Sequence, residues 1–255
     1  MSAPPNPKPG APHPPTSSVG RCGNAGRDGS GFILAGGQSS RMGADKALVL
    51  FDNVPLIQHA LQILAAASLP AQIAGSRISL AKFAEEIPDT FPESGPLGGI
   101  HAGLAASRSD WNLFLPVDLP LMPASLLALL LQRAELTGAP VAVAKLNGRI
   151  EPFPVVLHRS TLPQIAHLLQ SGQTACHVAW QTIPPALNAQ LDAIAVENLV
   201  QCGQCSHPLG LPPFFWFQSA NTPAELAWLN HLHASRDPIP NQFSQSGSEA
   251  GSQVS

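Results

Sequence analysis

GFILAGGQSSRMGADK, residues 31–46, is the stretch that decides the fold. Its apolar start, Gly31 to Leu34, predicts a buried strand. The glycines and small hydroxyl residues that follow predict a loop whose backbone N–H groups are open to a ligand. Arg41 and Lys46 add two cations to the same short segment. A strand that opens into such a loop is typical of a phosphate-binding site at the edge of an α/β sheet.

The spacing within this loop differs from that of the two common phosphate loops. In a P-loop the lysine follows the last glycine directly, whereas two residues separate Gly43 from Lys46 here. Gly36, Gly37 and Gly43 also lack the G-x-G-x-x-G spacing of dinucleotide-binding proteins. A plain glycine-rich turn would explain the glycines but not the two cations, so the pattern indicates a third kind of phosphate loop.

Length and composition limit the class of protein. The 255 residues suffice for one α/β domain or for two small ones, and the hydrophobic fraction of 44% is that of a globular chain. Only 11% of residues are charged and the formal net charge is −3, which argues against a nucleic-acid partner. The four cysteines do not suggest a disulfide framework, and no apolar stretch is long enough to span a bilayer. We therefore expect a soluble, cytoplasmic protein without a membrane partner.

Alternating apolar runs and helical patterns predict the fold class. Residues 1–30 and 236–255 are rich in Pro, Gly, Ser or Gln and are predicted to be disordered tails, which leaves 31–235 as a single domain. The patterns predict strands at 32–35, 71–74, 111–117, 141–144 and 153–157, and helices at 55–67, 80–86, 98–107, 124–136 and 161–170. This rhythm predicts a three-layer α/β/α domain with a mostly parallel, Rossmann-like sheet.

A second informative stretch is LFLPVDLPLMP, residues 113–123, an apolar strand that ends in the carboxylate of Asp118. A carboxylate placed there, opposite a phosphate-binding loop, is suited to hold Mg²⁺ together with phosphate oxygens. Asp118 lies too far before the helix predicted from residue 124 to serve as its N-cap. We therefore predict that Asp118 is a magnesium ligand.

A third stretch, DTFPESGPLGGI at residues 89–100, combines an acid with a glycine pair. Gly98 and Gly99 let the backbone approach a ligand closely and open a helix. Asp89 could accept a hydrogen bond from a base or a ribose, or it could stabilise a turn, since Asp and Pro are common in turns. Both interpretations of Asp89 stay open.

Together these stretches resemble the molybdenum cofactor guanylyltransferases, which have the nucleotide-diphospho-sugar transferase fold and join a nucleotide to the phosphate of molybdopterin. The resemblance covers most of the folded region, and its first segment is the most specific. The segments that carry it are LAGGQSSRMGADKA (34–47), SGPLGGIHAGL (94–104), LPVDLPLMP (115–123), EPFPVVLHRSTLP (151–163) and NTPAEL (221–226).

The resemblance implies roles for the residues at matching positions. The implied catalytic residues are Arg41, Lys46 and Asp118. Asp118 is also the implied Mg²⁺ ligand. The implied nucleotide-binding residues are Leu34, Ala35, Gly36, Gly37, Lys46, Asp89 and Asp118. The glycine pair at 36–37 is similar to that of the members that use GTP, whereas the CTP-using relatives tend to have alanine followed by glycine.

The resemblance implies a nucleotidyltransferase that moves GMP from GTP to the phosphate of Mo-molybdopterin, giving molybdopterin guanine dinucleotide and pyrophosphate. Molybdoenzyme apoproteins or chaperones are further implied partners. Three alternatives remain: a cytidylyltransferase that uses CTP, a nucleotidyltransferase of the same fold that acts on a sugar or polyol phosphate, and an inactive nucleotide-binding partner protein.

Two weaker signals lie near the C-terminus. Cys202-Gly-Gln-Cys205 with His207 resembles half of a zinc site, but no second pair is nearby, so we interpret it as a solvent-side loop. Residues 208–217 include four aromatic side chains that could stack on a pterin ring. A late strand buried in the core is the favoured interpretation of that segment.

Overall fold

A computed structural model describes residues 29–36, 45–75 and 79–235. Seven strands form one sheet in the order β5-β4-β1-β6-β8-β7-β9. They are β1 (Gly29–Leu34), β4 (Ala71–Ala74), β5 (Glu86–Ile87), β6 (Trp111–Pro116), β7 (Val141–Leu146), β8 (Arg149–His158) and β9 (Asp192–Ala195). The short strands β2 (Leu50–Phe51) and β3 (Val54–Pro55) pair with each other outside it.

The sheet is mostly parallel. Strand β1 pairs in parallel with β4 and β6, and parallel pairs also join β4 to β5 and β7 to β9. Strand β8 alone runs the other way and pairs antiparallel with both β6 and β7. This topology confirms the predicted mostly parallel sheet and brings the carboxyl ends of β1, β4 and β6 to one edge.

Helices cover both faces, as the three-layer architecture predicts. The helices are α1 (Leu56–Ala66), α2 (Gly95–Ala106), α3 (Ala124–Thr137), α4 (Leu162–Gln170), α5 (Cys176–Ala186), α6 (Val196–Gln201), α7 (Pro213–Trp216) and α8 (Pro223–Ala234). One buried cluster joins α1, α3 and the C-terminal helices to the sheet. The other joins α2, α4 and α5 to its opposite face. Burial of both faces explains why β1 and β6 consist almost entirely of apolar residues.

Two predicted elements are wrong. Residues 80–86, predicted as a helix, form turns that lead into β5, because the edge of the sheet offers backbone partners: the Ile73 N–H donates to the Glu85 carbonyl oxygen at 2.8 Å. Residues 208–217, favoured as a core strand, contain the short helix α7. Trp216 is nevertheless buried there, and its indole N–H donates to the Leu211 carbonyl oxygen at 2.7 Å. In both segments tertiary partners override the local pattern.

The predicted tails at 1–30 and 236–255 lie almost wholly outside the described residues, and the domain division stays a prediction. Among the helices within 29–36, 45–75 and 79–235, none combines the length and the apolar character needed to cross a membrane.

Candidate functional site

The candidate site forms where β1, β4 and β6 end side by side. The Val117 N–H, just beyond β6, donates to the Leu34 carbonyl oxygen at 3.1 Å, and the Ala35 N–H donates to the Ala74 carbonyl oxygen at 3.1 Å. These bonds extend the pairing of β1 with β6 and with β4 beyond the last residues of the strands. They fix the start of the phosphate loop between the two neighbouring strand ends, so Leu34 and Ala35 lie at the edge that sequence analysis assigned to the ligand.

Three glycines, Gly36, Gly75 and Gly99, lie against one another at this edge and form the floor of the site. A side-chain carbon on Gly36 would lie 2.2 Å from the carbonyl oxygen of Gly75, and one on Gly75 would lie 3.3 Å from the Cα of Gly99. Gly75 also has a positive φ of 72°, which favours glycine. The loops after β1 and β4 therefore meet the first turns of α2 through bare backbone. This arrangement leaves room for a ligand to lie close to main-chain N–H groups.

The charged centre of the site joins three distant parts of the chain. The ammonium of Lys46 donates to Asp118 Oδ2 and to Asn221 Oδ1, at 2.5 Å in each case. Side chains of Lys46 and Asp118 are about one-fifth exposed, at 19% and 18%. Partial burial strengthens such a charge-assisted contact relative to one in open water. Two of the residues predicted to be catalytic are thus brought together, and an amide oxygen from the C-terminal region joins them.

Local hydrogen bonds hold Lys46 and Asp118 in place. Asp45 precedes a 3-10 helix at Lys46–Leu48, and its Oδ1 accepts from the Ala47 N–H at 2.9 Å. The Ala220 N–H donates to the carbonyl oxygen of Asp118 at 3.0 Å. This bond ties the segment before α8 to the residue that follows β6.

Hydrogen bonds at the N-terminus of α8 fix Asn221. The hydroxyl of Thr222, the N-cap of α8, accepts from the Glu225 N–H at 3.2 Å, and the Glu225 carboxylate accepts from the Asn221 N–H at 2.9 Å. The Asn221 amide N–H also donates to the hydroxyl of Ser219 at 2.5 Å. Sequence analysis quoted the Asn221–Leu226 motif but gave Asn221 no role. The Thr-Pro-x-Glu cap that directly follows Asn221 was the available signal.

Asp89 precedes α2 by six residues, and its carboxylate lies beside the glycine pair of that helix. Its Oδ1 accepts from the Phe91 N–H at 2.9 Å, and both carboxylate oxygens lie 3.1 Å from where a side-chain carbon on Gly98 would stand. The carboxylate therefore stabilises its own turn, as one of the two interpretations held, and still faces the backbone of α2. Its role toward a nucleotide stays a prediction.

Arg41 and Gly37 lie outside the described residues, so their predicted roles stay predictions. The pair Cys202 and Cys205 differs in part from the solvent-side loop that was predicted: Cys202 is exposed, but Cys205 is buried and its thiol lies 3.2 Å from the Ser125 hydroxyl. Burial raises the pKa of the Cys205 thiol and lowers the pKa of His207 to about 4. Within the described part of the chain, no three His, Cys, Asp or Glu side chains are grouped to hold a metal ion.

Comparison with known proteins gives this geometry a family context. A family model described as the MobA-like NTP transferase domain matches residues 31–183. The molybdenum cofactor guanylyltransferase of Vibrio cholerae serotype O1 is 34% identical over 192 residues, covering 71% of this chain and 94% of that protein. The protein of the same name from Aliivibrio fischeri strain MJ11 is 37% identical over 185 residues, covering 95% of its length.

Solved structures share the fold. Molybdopterin-guanine dinucleotide biosynthesis protein A from Archaeoglobus fulgidus superposes with a TM-score of 0.65 at 19% identity, covering 80% of this chain and 98% of that one. CMP:2-keto-3-deoxy-manno-octonic acid synthetase, in complex with CTP, superposes with a TM-score of 0.58 at 16% identity, covering 81% and 98%. At these identities the likeness establishes the common architecture alone.

Proposed function

The chain belongs to the MobA-like NTP transferase family, which includes the molybdenum cofactor guanylyltransferases, and from this membership we propose that it transfers GMP from GTP to the phosphate of Mo-molybdopterin. The products are molybdopterin guanine dinucleotide and pyrophosphate. The observation that carries the proposal is the convergence of Lys46, Asp118 and Asn221 at the edge where the phosphate loop begins. We place the reaction in the cytoplasm.

Family members of this kind typically use a divalent metal ion, and we assign Mg²⁺ to this one. The residues present fit such an ion, because the Asp118 carboxylate and the Asn221 amide oxygen both converge on one positive charge, the Lys46 ammonium. Magnesium sites of nucleotide enzymes need few protein ligands, since substrate phosphates supply the rest. Asp118 and Asn221 would hold the ion. When bound, it would neutralise charge on the phosphates of both substrates.

The transfer itself needs little covalent help from the protein. The acceptor phosphate is already ionised at neutral pH, so one of its oxygens can attack the α-phosphorus of GTP without a general base. A new P–O bond forms to that oxygen, and the bond to the bridging oxygen of the β-phosphate breaks in line. We assign Lys46, and Arg41 of the same loop, to the negative charge that builds on the departing pyrophosphate.

The other predicted contacts orient the nucleotide. Gly36 and Gly75 place no side chain over the start of the loop, which leaves room for the nucleotide's phosphates to approach the backbone there. We assign Leu34, Ala35, Gly36 and Gly37 to backbone contacts with the nucleotide, and Asp89 to its base or ribose. Orientation of this kind lowers the barrier by holding reacting atoms in line.

The test is a transfer assay with purified protein, Mg²⁺ and Mo-molybdopterin, in which GTP and CTP are compared and dinucleotide product and pyrophosphate are both measured. We expect GTP to be used far better. A preference for CTP would identify a cytidylyltransferase instead. GTP binding without pyrophosphate release would identify an inactive partner protein.

A matched pair of variants tests the site within that assay. Asp110 precedes β6 and is exposed, whereas Asp118 follows the same strand at the site. Asp118→Asn should reduce turnover by several orders of magnitude in a protein that still folds, because it removes a charge and no apolar packing. Asp110→Asn should behave as the unmodified protein. Normal turnover of Asp118→Asn would refute the assignment.

A further inference from the structure

Three aromatic side chains form a continuous surface on α7 and α8. The rings of Phe214 and Phe215 lie 5.6 Å apart between centroids, and those of Phe215 and Trp228 lie 5.7 Å apart. Phe214 is 53% exposed and Trp228 is 41% exposed. Phe215 lies between these two rings and is partly buried against the core. Isolated exposed apolar residues are ordinary, whereas exposed aromatic rings joined into one patch favour a binding surface. We call Phe214, Phe215 and Trp228 the aromatic ledge.

The ledge is directly connected to the charged centre of the site. The carbonyl oxygens of Phe214 and Phe215 accept from the side-chain and backbone N–H groups of Gln218, at 3.2 and 3.3 Å. Two residues later, the Ala220 N–H donates to the Asp118 carbonyl oxygen. Trp228 follows Asn221 by seven residues, nearly all of them in α8, which corresponds to about 10 Å of helix rise. The ledge and the charged centre are therefore about one small-molecule length apart.

The proposed acceptor has matching dimensions and chemistry. It carries a phosphate at one end and a planar, fused pterin ring system at the other, and the bonds between them span on the order of 10 Å. Planar heterocycles bind aromatic side chains by offset stacking or edge contacts, with rings 4.5–7 Å apart. We propose that the aromatic ledge binds the pterin ring of the acceptor while its phosphate lies beside Asp118. This inference rests on the proposed function and assigns its acceptor subsite.

An apolar depression elsewhere in the described chain does not fit this role. It lies between α4 and α5, with Pro163, His167 and Ile183 among its lining residues. Helices α4 and α5 pack on the face of the sheet opposite to α7 and α8. Asp118 is hydrogen-bonded to the Ala220 N–H, in the segment that leads into α8. We therefore place an acceptor whose phosphate lies beside Asp118 on the side of α8.

The test separates binding of the acceptor from binding of GTP. In the transfer assay, Trp228→Ala and Phe214→Ala should each raise the KM for Mo-molybdopterin by about 5- to 10-fold, the value of one stacked ring contact. The KM for GTP should stay unchanged, because neither side chain belongs to the phosphate loop or to the charged centre. Trp228→Phe keeps a ring and should recover most of the affinity. Leu136→Ala, an equally apolar change on α3 where the side chain is 79% exposed, is the control.

The outcomes distinguish this inference from the proposed function. If the unmodified protein transfers GMP and both ledge variants keep the acceptor KM within roughly twofold, the inference is overturned and the function stands. If a ledge variant unfolds, Phe214→Ser and Trp228→Phe supply the comparison. If the unmodified protein transfers nothing from any nucleotide, the proposed function itself fails. A rise in the KM for GTP equal to that for the acceptor would also overturn the inference, since it would indicate a general disturbance of the site.

Discussion

Replacing Lys46 with methionine should strengthen metal binding in the absence of nucleotide, although it should abolish turnover. The Lys46 ammonium lies 2.5 Å from both oxygens that we assign to the metal, Asp118 Oδ2 and Asn221 Oδ1. A divalent ion that binds these two oxygens in the absence of nucleotide must therefore displace it. Methionine keeps the length of the side chain and removes the charge, so the two oxygens become available.

The size of the effect follows from the contact that the metal must break. A hydrogen bond to a charged group contributes about 1.5–3 kcal/mol. Both partners are about one-fifth exposed, at 19% and 18%, so solvent screening favours the lower part of that range. At about 1.4 kcal/mol for each factor of ten, release of the Asp118 contact alone, about 1.5–2 kcal/mol, corresponds to at least roughly 10- to 30-fold tighter binding of the metal to the variant.

The assay is a titration with Mn²⁺ in place of Mg²⁺ and without nucleotide, in which free Mn²⁺ is counted by electron paramagnetic resonance. Lys82→Met is the matched control, since Lys82 lies over the ring of Phe83 at 4.9 Å and has the same charge. Turnover with GTP should fall in Lys46→Met, because the lysine is lost from the phosphates. Metal affinity and activity thus change in opposite directions. Unchanged or weaker Mn²⁺ binding by Lys46→Met would refute this account of the site.

Two further changes test the floor of the site and the C-terminal region. Gly36→Ala should reduce the affinity for GTP with Mg²⁺ at least about tenfold, measured as thermal stabilisation, because its new carbon would meet the Gly75 carbonyl oxygen at 2.2 Å. Gly210→Ala meets nothing within 4 Å; it strains only its own backbone, at a φ of 66°, and should leave the affinity for GTP unchanged. Equal stabilisation of both variants by GTP would contradict the packing argument. Burial lowers the pKa of His207 to about 4 in the folded protein, whereas the pKa in the unfolded chain is about 6.5. Between these two pH values the imidazole is protonated in the unfolded chain only, so the free energy of unfolding falls as the pH is lowered. Urea unfolding at pH 7 and pH 5 measures this loss, and His207→Gln should make it smaller by about 1–2 kcal/mol, after allowance for partial exposure. Equal losses in the variant and the unmodified protein would show that His207 is not the group responsible.

The strands that build the site were predictable because each is an apolar run with clear ends. Gly31 to Leu34 and residues 111–117 are buried on both sides, so their composition alone indicates central strands of a parallel sheet. Strand β5 could not be predicted, because a strand of two residues shows no alternation of polar and apolar side chains. These residues form a strand because they pair with the neighbouring strand β4.

The sequence predicted functional roles for Lys46 and Asp118, but it did not predict the contacts that their side chains make. The pattern around Lys46 indicated a phosphate loop, and the end of β6 placed Asp118 opposite to it. Nothing in the sequence states that an amide 175 residues from Lys46 completes the group, because that contact depends on how the C-terminal segment folds back. Two rings of the aromatic ledge, Phe214 and Phe215, lie in a run of four aromatic residues that is visible in the sequence, but which of these rings face solvent depends on how α7 packs Trp216 into the core.

The bond between Lys46 and Asn221 joins two residues that are made far apart in time during translation, since Asn221 is synthesised 175 residues after Lys46. All seven strands of the described sheet precede Asn221, so a nascent chain can contain the whole sheet and still lack one wall of the candidate site. If that site acts as we propose, a product terminated before residue 221 would lack activity even where its sheet forms.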